Sequence, residues 1–174
     1  GRLTRECIGA DQNIPLGDPG LLVPMLYSKK QQKKYVLGLI PHFVDKDDER
    51  IRRLWATYPN DVAIIDVQQK PKTVISKIRQ CEHILSSSLH GLITADAFGI
   101  PNAWICLSDK VIGSGFKFHD YVSAFDSHIE PNLITGKESL SSLIKLTKLR
   151  VNNLTEIQNN LDNAFQIMAT EIRK

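Results

Sequence analysis

Ser86-Ser87-Ser88-Leu89-His90-Gly91 sets three hydroxyls, an imidazole and a glycine between the apolar pair Ile84-Leu85 and the apolar-rich stretch Leu92 to Phe98. Serines at a strand end can cap the helix that follows. The first N–H groups of that helix and the positive end of its dipole then face outward, which suits a phosphate or carboxylate. His90 falls in the first turn, where an imidazole can give or take a proton near neutral pH and the helix dipole favours its neutral form. Gly91 leaves space for a ligand to approach the backbone. The chemistry on offer is anion binding beside an acid–base group. The competing reading is structural, with the serines only capping and His90 only a helix-start residue.

Two other polar segments accompany this one. Pro41-His42 follows the apolar run Tyr35 to Ile40. Ser108-Asp109-Lys110 follows Ala103 to Leu107 and leads through Gly113-Ser114-Gly115 to Phe116-Lys117-Phe118-His119-Asp120-Tyr121. Gly113-Ser114-Gly115 lacks the third glycine and preceding strand of a dinucleotide fingerprint and the lysine placement of a P-loop, so both motifs are rejected. His119 and His128 have no ligand spacing, and no metal site is expected. Asp18-Pro19 has the form of an N-cap followed by proline at the first helical position, which capping alone explains.

These loops need elements to position them. Tyr35 to Ile40, Val62 to Val67, Ile84-Leu85 and Ala103 to Leu107 are continuous apolar runs, the pattern of strands buried on both faces. Ile51, Leu54, Trp55 and Tyr58 mark an amphipathic helix between the first two, entered through Asp47 and Asp48. Val74, Ile75, Ile78 and Cys81 mark another between the second and third. Alternation of strand and helix predicts an α/β fold, a Rossmann-like parallel sheet with helices on both faces. In such a sheet ligands bind beyond the carboxyl ends of the strands, where all three polar loops converge. Leu154, Ile157, Leu161, Ala164, Phe165, Met168 and Ile172 form the stripe of one long C-terminal helix, which packs either on this sheet or on a neighbouring domain.

The chain has 174 residues, 42% hydrophobic and 24% charged, which suits one soluble core. No apolar run approaches the ~20 residues of a membrane span, and no signal-peptide core opens the chain. Cys7, Cys81 and Cys106 form neither a disulfide framework nor a zinc motif, which fits a cytoplasmic location. A net charge of +3, with 22 basic against 19 acidic residues, gives no reason to expect nucleic acid as a partner. Lys29-Lys30-Gln31-Gln32-Lys33-Lys34 reads as a solvated connector, with peripheral contact to anionic lipid at the inner face of a membrane as the alternative. The absence of an initiating methionine raises the expectation of missing upstream sequence.

Leu3-Thr4-Arg5-Glu6, Gly17-Asp18-Pro19-Gly20-Leu21-Leu22, the Ser86 to Gly91 segment and Ala97-Phe98-Gly99-Ile100-Pro101, in that order, resemble the polysaccharide pyruvyl transferase family. The resemblance implies half of a GT-B-like fold: residues 1–30 as the end of a missing N-terminal domain and connector, 31–149 as a donor-binding domain, and 150–174 as the C-terminal helix. It implies transfer of a pyruvyl group from phosphoenolpyruvate to a sugar of a bacterial exopolysaccharide or cell-wall polymer, forming a ketal, with no cofactor. The acceptor would be a sugar or a lipid-linked oligosaccharide. His90 becomes the catalytic residue, and Ser87, Ser88, Gly91, His42, Lys110 and Lys117 the donor-binding set. The family often has arginine where this chain has Ser88, so Lys110 or Lys117 is expected to supply the lost charge. The alternatives are a GT-B glycosyltransferase using a nucleotide sugar, and a non-catalytic ligand-binding fragment.

Overall fold

The computed structural model describes residues 1–27, 29–113 and 115–172, so Ser114 of the glycine-serine-glycine loop lies outside the described residues. In chain order the elements are α1 (Arg2–Cys7), a 3-10 segment (Pro19–Leu26), β1 (Tyr35–Ile40), a 3-10 turn (Phe43–Asp45), α2 (Glu49–Thr57), β2 (Val62–Ile64) and α3 (Pro71–Arg79). They continue with β3 (Cys81–Ser86), α4 (Leu89–Ala97), β4 (Asn102–Cys106), α5 (Phe116–Ser123), β5 (Asn132–Leu133), α6 (Leu140–Leu146) and α7 (Leu154–Ile172). The five strands stand in the order β2-β1-β3-β4-β5, and every pairing is parallel. This is the α/β, Rossmann-like architecture expected from the apolar runs.

Alternation along the strands divides the core between two faces. Leu37, Leu39, Leu85, Ala103 and Ile105 turn to one side, where Ile51 and Leu54 of α2 and Leu143 of α6 cover them. Ile40 and Ile84 turn to the other side with Ile78 of α3 and Ala95 of α4, and Trp104 does so with Leu92, Ile93 and Phe118. Leu21 of the 3-10 segment is fully buried in that second layer, where Asp18 caps the segment by accepting the Gly20 N–H at 2.7 Å.

Three details depart from the sequence reading. Cys81 begins β3 rather than ending α3, because α3 stops at Arg79 and Cys81 pairs with Tyr35 of β1. The second strand ends at Ile64, not Val67: the Asp66 side chain accepts the Gln68 N–H at 2.9 Å and turns the chain away. The stripe of α7 is divided, for Leu161 is buried and Gln158 donates to the Leu21 carbonyl at 2.7 Å, whereas Phe165, Met168 and Ile172 are exposed.

A buried polar cluster holds the amino end of β4. Asp96 accepts from Asn102 at 2.6 Å and from the Tyr121 hydroxyl at 2.9 Å, and Arg150 ion-pairs with it at 3.5 Å. Burial pushes the Asp96 carboxyl above the usual carboxylate range, with Arg150 acting against that shift.

Candidate active site

The strand order reverses direction between β1 and β3. β1 connects through α2 to β2 on one side, and β3 connects through α4 to β4 on the other. Their carboxyl ends therefore form a topological switch point, outside which lies the crevice position where ligands bind in open parallel sheets. The segments after β1 and β3 meet there. The Ser87 N–H donates to the Ile40 carbonyl at 3.0 Å, and the His42 N–H donates to Ser87 Oγ at 2.8 Å.

Each serine of the triplet has a separate role. Ser86 Oγ is buried, accepts the Ser88 N–H at 3.0 Å and lies 2.8 Å from the Ser88 carbonyl, which holds the tight turn between strand and helix. Ser87 ties β3 to the loop after β1. Ser88 is the N-cap residue of α4 by backbone conformation, but its side chain makes no capping hydrogen bond. The N–H groups of Leu89 and His90 have no acceptor among the described residues, so the helix end presents two free donors. His90 is exposed at this first turn.

Gly91 departs from its expected role. It is buried, its N–H donates to the Ser88 carbonyl at 3.1 Å, and a Cβ there would lie 2.4 Å from Ser86 Oγ and 3.1 Å from Ile40. Close packing of α4 on the strand ends, not approach of a ligand, requires glycine at this position.

His42 is half-buried at the start of the 3-10 turn, where its Nδ1 accepts the Val44 N–H at 3.4 Å. Burial lowers its pKa, the nearby Lys117 ammonium lowers it further, and Asp45 acts in the opposite sense. Lys117, on the first turn of α5, is thus an electrostatic neighbour of His42. Lys110 is exposed, its N–H donates to Ser108 Oγ at 3.2 Å, and no hydrogen bond or ion pair of its side chain joins it to the other site residues among those described. The structure therefore joins His42 to Ser87, with Ser88 and His90 following at the start of α4 and the charge of Lys117 acting on His42, and leaves Lys110 on the surface.

Asp45 escaped the sequence reading. It is buried, accepts the Ser108 hydroxyl at 2.6 Å and so links the segment after β1 to the loop after β4, while its Oδ2 has no partner among the described residues. The available signal was its place five residues beyond a buried strand, the same signal that singled out His42. No group of three or more His, Cys, Asp or Glu side chains that could hold a metal ion occurs among the described residues. No helix among them is long and apolar enough to cross a membrane.

Comparison with known sequences decides the family. The sequence model of polysaccharide pyruvyl transferases matches residues 3–105, which include β1, the serine segment, α4 and most of β4. The chain belongs to the polysaccharide pyruvyl transferase family. Among the relatives of this chain, the succinoglycan biosynthesis protein ExoV of Rhizobium meliloti (strain 1021) is 29% identical over 83% of this chain and 45% of its own length. The uncharacterized protein L143 of Acanthamoeba polyphaga mimivirus is 37% identical over 65% of this chain and 40% of its own length. The chain thus spans less than half of the relatives it matches. No solved structure matches this chain significantly.

Proposed function

We propose that the crevice binds phosphoenolpyruvate and that the full-length protein transfers its pyruvyl group to two hydroxyls of an acceptor sugar, forming a cyclic ketal. The observation that carries this reading is the meeting of the α4 N-terminus with the segment after β1 at the β1/β3 reversal, where the His42 N–H donates to Ser87 Oγ and the charge of Lys117 acts on His42. Phosphoenolpyruvate brings a phosphate and a carboxylate. Two free N–H groups, a helix dipole and one ammonium are complementary to that pair of anions.

The reaction balances without a cofactor. C3 of the donor gains a proton, C2 forms two C–O bonds to the acceptor, and the C2–O bond to phosphate breaks. Of the two hydroxyl protons released, one replaces the proton given to C3 and the other leaves on the phosphate. His90, exposed at the mouth of the anion site, is the group assigned to protonate C3. Lys117 takes over the charge that an arginine at position 88 would supply and neutralises the departing phosphate. The free thiols Cys7, Cys81 and Cys106 support a reducing, cytoplasmic compartment.

Titration calorimetry of this chain with phosphoenolpyruvate, UDP and GDP tests the reading. Heat from phosphoenolpyruvate that is weakened in Lys117→Met supports it. Heat from UDP or GDP with none from phosphoenolpyruvate assigns the crevice to a nucleotide-sugar glycosyltransferase instead.

A further inference from the structure

Beside the anion crevice, at the carboxyl end of β4, lies a cavity of about 310 Å³. Larger clefts of about 670 and 640 Å³ lie against β2 and α3, and against the α6–α7 connection, away from the site residues. The smaller cavity shares Ser87 with the crevice. Trp104 and Phe118, whose rings stack at 4.2 Å, contribute to its wall with Leu107 and Ile112, and Cys106 also lines it.

Its chemistry differs from that of the crevice. No lysine or arginine lines it, and Asp109 is its one charged residue among those described. An anionic donor or a nucleotide phosphate gains nothing there. A mostly apolar wall that includes Leu107, Val111 and Ile112, with Ser87 and Ser108 also lining it, suits the C–H face of a neutral sugar ring, and the volume lies at the low end of the range for small-molecule sites, enough for a single ring. Ser87 supplies the second observation. The residue is 3% exposed, its side-chain oxygen accepts the His42 N–H, and its own hydroxyl hydrogen has no acceptor among the described residues. A donor is thus available at the boundary of cavity and crevice. A hydroxyl attacking C2 of the donor must start within roughly 3–3.5 Å of it, which requires the acceptor ring to lie against the donor site.

We infer that this cavity holds the hexopyranose ring of the acceptor, positioned by Ser87 against the pyruvyl donor. The inference rests on the donor assignment above for its direction, but the cavity can be probed separately. Cys106 lines it, Cys81 is buried, and Cys7 is exposed, so a Cys7→Ser chain reports alkylation of Cys106. Methyl glycosides of glucose, galactose and mannose serve as probes, with and without phosphoenolpyruvate, and UDP serves as the competing ring compound. At least one glycoside should slow alkylation, by about fivefold at four times its dissociation constant. Ser87→Ala should weaken that protection roughly threefold to tenfold, the loss of one hydrogen bond. Absence of protection by all three glycosides overturns the inference, as does protection by UDP or complete protection by phosphoenolpyruvate alone. Calorimetric heat from phosphoenolpyruvate with no glycoside protection sinks the acceptor cavity and spares the donor site; glycoside protection without that heat does the reverse.

Discussion

The backbone N–H of His42 donates to Ser87 Oγ across 2.8 Å, joining the segments that follow two adjacent parallel strands. Ser87 is buried, so replacing it with alanine leaves that N–H without its acceptor. Ser87→Ala should cost about 1 kcal/mol of folding stability in urea denaturation and weaken phosphoenolpyruvate heat in calorimetry. Unchanged heat would remove this hydrogen bond from donor binding.

The charge of Lys117 should bear on the titration of His42. Burial and then Lys117 lower the folded-state pKa of His42, so the unfolded chain takes up the proton at higher pH than the folded one. His42 therefore makes the fold less stable as pH falls from about 6.5 toward its lowered folded value, and has no effect above that window. In NMR titrations Lys117→Met should raise the His42 pKa and Asp45→Asn should lower it further. A bound anion should raise it as well, so phosphoenolpyruvate affinity should strengthen with falling pH across the same window.

Adjacent residues on α4 should respond in opposite ways. Gly91→Ala drives a methyl group to 2.4 Å from Ser86 Oγ and should destabilise the fold by about 1–3 kcal/mol. His90→Ala removes an exposed ring and should leave the denaturation midpoint unchanged, while lowering turnover of the full-length protein by roughly 10²- to 10⁴-fold. Equal stability losses at both positions would return His90 to a structural role.

Arg150 partners a carboxylate that has no access to water. The Arg150 and Asp96 side chains are 8% and 1% exposed. Arg150→Met should cost about 3–5 kcal/mol, because it leaves a buried charge without its cation. Adding Asp96→Asn should recover part of that loss, measured by thermal or urea denaturation.

The two halves of α7 should contribute unequally. Leu161→Ala opens the contact with the 3-10 segment and should cost about 2–4 kcal/mol. Met168→Ala, on the exposed half, should change the stability of this chain by less than about 0.5 kcal/mol.

Local pattern carried much of this protein. Continuous apolar runs of strand length separated by helical periods dictate a parallel sheet covered on both faces, because only two-sided burial accommodates strands such as Tyr35–Ile40. The serine segment, read with those strands, also located the start of the helix it opens, where the Leu89 and His90 N–H groups have no acceptor among the described residues. What neighbours that site was decided by tertiary structure. His42 and Ser87 are 45 positions apart, as are the residues of the other crevice contacts by comparable or larger margins, and they meet because β3 pairs with β1 instead of β2. No local periodicity encodes that pairing order. It also brought the charge of Lys117 to bear on His42, Asp45 to Ser108, and Gly91 against Ser86. Side-chain spacing along the chain sets which faces are apolar; which strands then become neighbours depends on the combined packing of helices from distant segments, and that packing gave the crevice its residues.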